Sequence, residues 1–301
     1  MKDYFGYHDK VCVVTGAASG MGKAAAEMLV DLGAKVYALD VNEVKIPGIA
    51  LSIKANLLEK SSIDAAFAQI PGQIDRFFGC AGLSGARTDW WVTFTVNFVA
   101  NKYMIEEYID KRMPSGGAIA LISSIGGLHW ENYAGEYKKI LQAGTWEEMM
   151  DVMHGLAPQQ AYAPFAYILS KRALNAYVAK RARYWAKKGI RINAILPGGA
   201  ATGLQKDFET MAGGPDKMVE NCGLAARLGQ PREMGEPLVF LNSDMASYLT
   251  ATLLPVDYGD TTLKIIKEKK SLTNIPVNLK ILHMPFVIGL IMRQIQKGQQ
   301  G

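Results

Sequence analysis

Short runs of consecutive apolar residues alternate along the chain with longer stretches whose apolar positions recur every three or four residues. The runs 10–15, 34–40, 50–54, 74–80, 118–123, 190–196 and 253–257 predict β-strands, and 21–32, 61–69, 90–112, 164–188 and 232–243 predict helices. Strands that are nearly all apolar are buried on both faces, and strand–helix alternation requires crossovers. The economical arrangement is a doubly wound, Rossmann-type α/β domain with a seven-stranded parallel sheet. It spans residues 1–260 and is followed by a C-terminal tail over 261–301. Two helices are expected within about 128–160, at 137–144 and 145–153, the second with Thr145 as N-cap and Glu147 and Glu148 in its first turn.

Composition changes little in that picture: 301 residues with 49% hydrophobic and 20% charged residues are enough for a sizeable core and exclude a disordered chain. Cys12, Cys80 and Cys222 are too few and too scattered for a disulfide framework or a zinc cage, which favours a reducing compartment; no metal site is expected. The first residues carry charges and no signal-like apolar run, so a cytoplasmic location is expected. The net charge of +5 is concentrated in 261–301, where seven basic residues face one acid; without that tail the chain is at −1, and no nucleic-acid partner is expected. Within the tail, 285–292 is apolar nearly all round but too short to span a bilayer. Packing on the body or on a partner subunit is favoured there over an interfacial anchor on anionic lipid.

The first candidate chemistry is the strand-to-helix turn 11–22, with Thr15, Gly16, Ser19, Gly20, Met21 and Gly22. Gly16 suits a tight turn, Gly20 a close backbone approach to a pyrophosphate and Gly22 close helix–strand packing, and free N–H groups at the helix start face an anion. A glycine triplet alone fits a purely structural turn equally well. The next predicted strand ends in Asp40, 18 residues beyond Gly22, at the spacing of an acid that accepts from a ribose 2′-hydroxyl. A carboxylate with no cation beside it repels a 2′-phosphate, so NAD is expected rather than NADP. The duller reading of Asp40 is a solvated strand end.

Tyr167 and Lys171 are four apart in a predicted helix and share a face, where a cation favours phenolate and lowers the tyrosine pKa. A tyrosine and lysine at this spacing are common by chance, but a buried strand ends upstream in Ser123 and Ser124, and strand carboxyl ends line the ligand crevice of parallel sheets.

Thr15–Gly22, Asp40, Cys80-Ala81-Gly82, Val96-Asn97, Ser123-Ser124 with Gly127, Tyr167 with Lys171, Pro197-Gly198 with Thr202, and Val256–Gly259 stand in the order of the short-chain dehydrogenase/reductase family, which the chain resembles from about residue 10 to 259. The resemblance implies Tyr167 as general acid/base, Ser124 as the hydroxyl on the substrate oxygen, Lys171 as the cation on Tyr167 and the nicotinamide ribose, and Asn97 as anchor of a relay water. It implies cofactor contacts at Gly16, Ser19, Gly20, Met21, Gly22, Asp40, Asn56, Leu57, Cys80, Ala81, Gly82, Tyr167, Lys171, Pro197, Gly198 and Thr202. Two positions depart from the family: Cys80 replaces an asparagine, and Asn56 stands for an adenine-binding aspartate.

The 43-residue separation of Ser124 from Tyr167 is the largest departure, and against the family it marks about 128–160 as a helical insertion. With Cys80–Leu83 it is similar to the bacterial 3α-hydroxysteroid dehydrogenase/carbonyl reductase subgroup, in which inserted helices alter the usual oligomerisation surface. A homo-oligomer, a dimer or tetramer, is implied. His129 and His154, in the insertion, are given no role. The segment after Pro197 has the Gly-rich, partly helical character of a lid, with Leu204, Phe208 and Met211 as an apolar lining. The expected activity is NAD-dependent interconversion of a secondary alcohol and a ketone on a bulky apolar substrate, a steroid or bile acid with the 3-hydroxyl favoured. A carbonyl reductase or alcohol dehydrogenase for non-steroid substrates is the alternative, and a non-catalytic dinucleotide sensor comes third.

Overall fold

Strand β1 (Val11–Thr15) shows how the pattern becomes a sheet. Its residues alternate between two cores, Val13 toward one face and Cys12 and Val14 toward the other, all fully buried. The same alternation holds at Phe77 and Phe78, and at Ile119 and Ala120, so both faces of the central strands are buried, and the few polar side chains there, Thr15, Arg76 and Asn193, are buried with them and hydrogen-bonded. The computed structural model describes residues 3–156, 163–220, 222–266 and 268.

The other strands are β2 (Lys35–Asp40), β3 (Leu51–Lys54), β4 (Arg76–Gly79), β5 (Ala118–Ile122), β6 (Arg191–Pro197) and β7 (Leu253–Val256). They form one sheet in the order β3-β2-β1-β4-β5-β6-β7, every neighbouring pair parallel. All strand carboxyl ends therefore lie on one edge, and the order reverses between β1 and β4, where doubly wound folds form their ligand crevice. The predicted strand at 74–80 is trimmed to four residues. The side chain of Asp75, just before it, accepts instead from Val11 N at 2.9 Å.

The helices are α1 (Gly20–Asp31), α2 (Lys60–Ala68), α3 over 90–112, α4 (Lys138–Gln142), α5 (Trp146–Leu156), α6 (Ala163–Lys187), α7 (Gln205–Ala212), α8 (Pro215–Glu220), α9 (Pro231–Asn242) and α10 (Asp260–Ile265). α3 is continuous but not uniform, with π-helical turns at Thr95–Val99 and Ile105–Ile109 between α-helical stretches. α1 and α9 cover one face of the sheet through Ala25, Leu29, Met234 and Leu238; α2, α3 and α6 cover the other.

Both expected insertion helices form, as α4 and α5. The Thr145 hydroxyl accepts from Glu148 N at 3.1 Å and the Glu148 carboxylate accepts in return from Thr145 N at 3.3 Å, a reciprocal cap that sets the start of α5. Tyr137, Ile140, Trp146, Met149 and Met153 are buried in the core shared with α3 and α6. Lys102 of α3, almost wholly buried, spans Glu106 and the carbonyl of Ala143, each at 2.5 Å, and so fastens the insertion to the sheet-covering helices. The last residues assigned to the insertion and nearly all of the basic and apolar extension lie outside the described residues; 261–266 and 268 are described, most of them in α10. No helix among the described residues is long and apolar enough to cross a membrane.

Candidate active site

The strand ends bring the motifs of the sequence together. Gly16 and Gly20 have φ of +66° and +56°, values a side chain resists, and they fold the chain back from β1 into α1. A Cβ on Gly22 would stand 2.2 Å from the Gly16 carbonyl oxygen, so this turn closes only with glycine there. Ser19 occupies the N-cap of α1 in extended conformation but its side chain caps nothing, which leaves the first amides of the helix without a side-chain acceptor. Thr15 orders the next loop: its hydroxyl accepts from Cys80 N and Ala81 N at 3.0 and 3.2 Å. Gly82 lies where a Cβ would come within 3.3 Å of Asn97 Oδ1 and 3.6 Å of Lys171 Nζ.

These features fit a dinucleotide. An uncapped helix start beside a glycine turn suits a pyrophosphate, and the space a Gly82 side chain would fill, next to Lys171, suits a ribose. Asp40 closes the other end of the crevice. Its carboxylate accepts from Ala18 N at 3.0 Å and Asn42 N at 2.9 Å, amide partners rather than cations. Thr202 and Gly20 approach from opposite sides: a Cβ on Gly20 would be 3.5 Å from that of Thr202. Gly198 is held by its amide on Val256 O at 3.0 Å. Leu57 is buried in the core, so its side chain is unavailable to a ligand, while Asn56 Oδ1 accepts from Leu58 N and Nδ2 donates to Glu59. Burial pushes the Cys80 thiol pKa up, so it behaves as a small neutral side chain.

Ser124, Tyr167 and Lys171 meet at the carboxyl end of β5. Ser124 is at the N-cap of a single 3₁₀ turn, where its hydroxyl accepts from Gly126 N at 3.0 Å. A Cβ on Gly126 would stand 3.4 Å from the Ser124 Oγ and 3.6 Å from the edge of the Tyr167 ring, so hydroxyl and ring flank the same point of the backbone. Lys171 Nζ lies 5.6 Å from the centre of the Tyr167 ring and donates to Ile122 O at 2.9 Å. The electrostatics differ from the sequence expectation. Burial raises the Tyr167 pKa, the Ser124 hydrogen bond only partly opposing it, and burial lowers the Lys171 pKa to about 8. An ammonium one helical turn away does not by itself make this phenol acidic, because both groups are desolvated together.

Asn97 is wholly buried in a π-helical turn of α3. Its Nδ2 donates to Leu83 O and Ser170 Oγ, both at 3.0 Å, and its Oδ1 accepts from Leu83 N at 2.8 Å. Ser170 passes the connection on to the Tyr167 carbonyl at 2.7 Å. The expected water anchor thus has both amide hydrogens committed, and in this geometry Asn97 is a brace between the loop after β4 and α6.

Of the expected lining, Phe208 packs edge-on to Tyr167 with ring centres 5.2 Å apart; Leu204 and Met211, on the same face of α7, are half-buried. Sequence reasoning passed over Asp207, Ser84 and Ser170. Asp207 stood in plain view, an acid inside the 204, 208, 211 apolar spacing of a helix.

Sequence profiles match along most of the chain: that described as short chain dehydrogenase over residues 10–138, and that described as Enoyl-(Acyl carrier protein) reductase over 149–261. A curated NAD-dependent glycerol dehydrogenase of Listeria innocua is 30% identical over 269 residues, covering 85% of this chain and 96% of that protein. The chain belongs to the short-chain dehydrogenase/reductase family. Other relatives include a coniferyl-alcohol dehydrogenase of a Pseudomonas strain, 29% identical over 83% of this chain and 96% of the relative. A 3-alpha-hydroxysteroid dehydrogenase/carbonyl reductase of Comamonas testosteroni is 26% identical over 83% and 95%. In three dimensions the chain resembles the 3-alpha-hydroxysteroid dehydrogenase of Pseudomonas sp. B-0831 in complex with NADH, with TM-score 0.71, 23% identity, and coverage of 87% of this chain and 100% of the other. Membership in the short-chain dehydrogenase/reductase family makes this an oxidoreductase of CH–OH groups that works with a nicotinamide dinucleotide.

Proposed function

We propose that the chain interconverts a secondary alcohol and a ketone on a bulky apolar substrate, a hydroxysteroid or bile acid with the 3-hydroxyl favoured, using NAD. The observation that carries the reaction is the meeting of the Ser124 hydroxyl, the Tyr167 phenol and Lys171 beneath the apolar face of α7. The steroid class rests on that aromatic and aliphatic roof, on the insertion that lies between Ser124 and Tyr167, and on a hydroxysteroid dehydrogenase among the relatives. NADH formation across alcohols varied at carbons 3, 7, 12, 17 and 20 of a steroid nucleus, with coniferyl alcohol and glycerol as controls, tests it. Turnover confined to the controls overturns the steroid reading.

NAD, which Gly16, Gly20, Asp40 and Lys171 would hold, would supply the acceptor for the hydride of the alcohol carbon and the donor for the reverse reaction. Tyr167 removes the hydroxyl proton in oxidation and donates it in reduction, while Ser124 donates a hydrogen bond to the substrate oxygen as charge develops there. Lys171, anchored on Ile122 O, fixes the side of Tyr167 from which a positive charge acts. The roof of α7 keeps water from the reacting centre.

The Tyr167 pKa direction sets a pH dependence. Oxidation needs the phenolate. Below its pKa, which burial holds above the usual tyrosine value, kcat/KM for the alcohol falls with each unit of acidification. Reduction needs the phenol, so its kcat/KM is flat through neutrality and declines only at alkaline pH. Opposite slopes in the two directions are expected; parallel profiles would remove Tyr167 from the proton transfer.

Asp40 supports NAD over NADP, because a fixed carboxylate with amide partners repels a 2′-phosphate. In Asp40→Asn the shape stays and the charge goes, so affinity for NADP should rise at least about tenfold, as expected when one like-charge contact is removed. Fluorescence titration with both cofactors reads this directly, and an unchanged ratio would locate the preference elsewhere.

A further inference from the structure

α7 is only eight residues long, and with its N-cap residue Leu204 one side of it reads Leu204, Asp207, Phe208, Met211. A carboxylate in the middle of such a stripe is costly to bury unless it is paired. Asp207 is paired on both oxygens, and both partners come from the loop after β4 rather than from α7. Oδ2 accepts from Ser84 Oγ at 2.6 Å, and Oδ1 meets Arg87 Nε at 2.6 Å. Asp207 and Ser84 are both buried, whereas the Arg87 side chain is 71% exposed.

The two segments joined here flank the crevice from opposite sides. The β4 loop is fixed to α3 at its base by the paired hydrogen bonds between Leu83 and Asn97. On the other side, the residue next to Asp207 is Phe208, whose ring lies against Tyr167. Apolar contact alone would let α7 slide or rotate over the site, because it has no direction; two hydrogen-bonded oxygens on a planar carboxylate admit one register.

We propose that Asp207 is a positioning residue that clasps α7 to Ser84 and Arg87 across the crevice, and so sets the height and register of the Phe208 roof over the reacting atoms. The clasp rests on the proposed dehydrogenase reading for its kinetic consequence, but not for its existence. Its residues do not touch the reaction, so loosening it weakens substrate binding rather than chemistry. It also divides the work between its partners. Ser84 supplies the buried, directional bond, and the exposed Arg87 supplies an ionic one that salt can weaken.

The test uses the full chain with Asp207→Asn, Ser84→Ala and both changes together. Hydrogen–deuterium exchange of residues 205–212 is measured without ligand, then NAD affinity, KM and kcat. Each single change should speed exchange in α7 and raise KM about tenfold, the size of losing one hydrogen bond to a charged group. Within about twofold, kcat and NAD affinity should hold, and the double variant should go little beyond either single one, since both break the same link. Ser84→Thr, which keeps the hydroxyl, should restore exchange and KM. Unchanged exchange in α7, additive effects in the double variant, or a fall in kcat at constant KM would each overturn the clasp. If the wild-type chain turns over no alcohol, the dehydrogenase reading fails, and the exchange data still decide whether Asp207 holds α7.

Discussion

Tyr167→Phe is expected to lower kcat in both directions by about 10²–10⁴-fold, the range supplied by one general acid–base group, with NAD affinity changed less than about twofold. The substitution removes one oxygen and nothing else. The ring remains in edge contact with Phe208, and Lys171 keeps its anchor on Ile122 O, so the shape of the site survives. What is lost is the phenol that exchanges a proton with the substrate oxygen, set between Lys171 and Phe208. Steady-state rates at saturating substrate, with cofactor binding followed by fluorescence, separate the two quantities. A variant that keeps a near-normal rate would remove Tyr167 from the mechanism, and one that also loses NAD would show that the phenol serves binding instead. Ser124→Ala should fall short of the tyrosine effect, because a hydrogen bond to developing charge is lost but the proton still has somewhere to go.

The second large effect belongs to Gly22→Ala. One methyl group there would meet the Gly16 carbonyl oxygen at 2.2 Å and the Cys80 side chain at 3.0 Å. The nearer obstacle is backbone in a turn whose own residue sits at φ +66°, so relief requires α1 to move away from β1. Overpacking of this kind costs about 1–3 kcal/mol, which should appear as a lower melting temperature. It should also weaken NAD binding by more than the stability change implies, since the displaced element is the helix start whose amides, free of a side-chain cap, are proposed to receive the cofactor's pyrophosphate. Calorimetry and cofactor titration on the same variant measure both. Normal affinity for NAD would mean that the α1 turn is a packing device and no phosphate site.

Much of the fold was legible because its rules are local or nearly so. The burial of β1 and β5 on both faces leaves continuous apolar runs that a covered parallel sheet explains. The helix over 163–187 and the cap of α5 follow from spacing and from Thr145 with Glu148. The glycine turn was legible for a similar reason: at Gly16 and Gly22 the backbone tolerates no Cβ, so the residue type records the geometry.

The chemistry was legible in its members and illegible in its balance. Sequence spacing put Tyr167 and Lys171 on one face, and they are on one face. It could not weigh the ammonium against the desolvation both groups undergo, and the tyrosine pKa moves up rather than down. Nor could it see that Asn97 spends its donors on Leu83 and Ser170, since those partners lie 14 and 73 residues away.

The sequence by itself determined the parallel sheet, the glycine turn, the acid at the end of β2 and the identity of the catalytic candidates, because each depends on residue type at short range or on burial of a whole segment. Only the tertiary structure decided how those candidates are charged, that the insertion folds into the core beside α3 and α6, and that Asp207 turns inward to Ser84 and Arg87. The physical reason is that desolvation and pairing depend on which distant segments arrive at the same place, and a carboxylate in an apolar stripe has no partner until the loop after β4 is laid against α7.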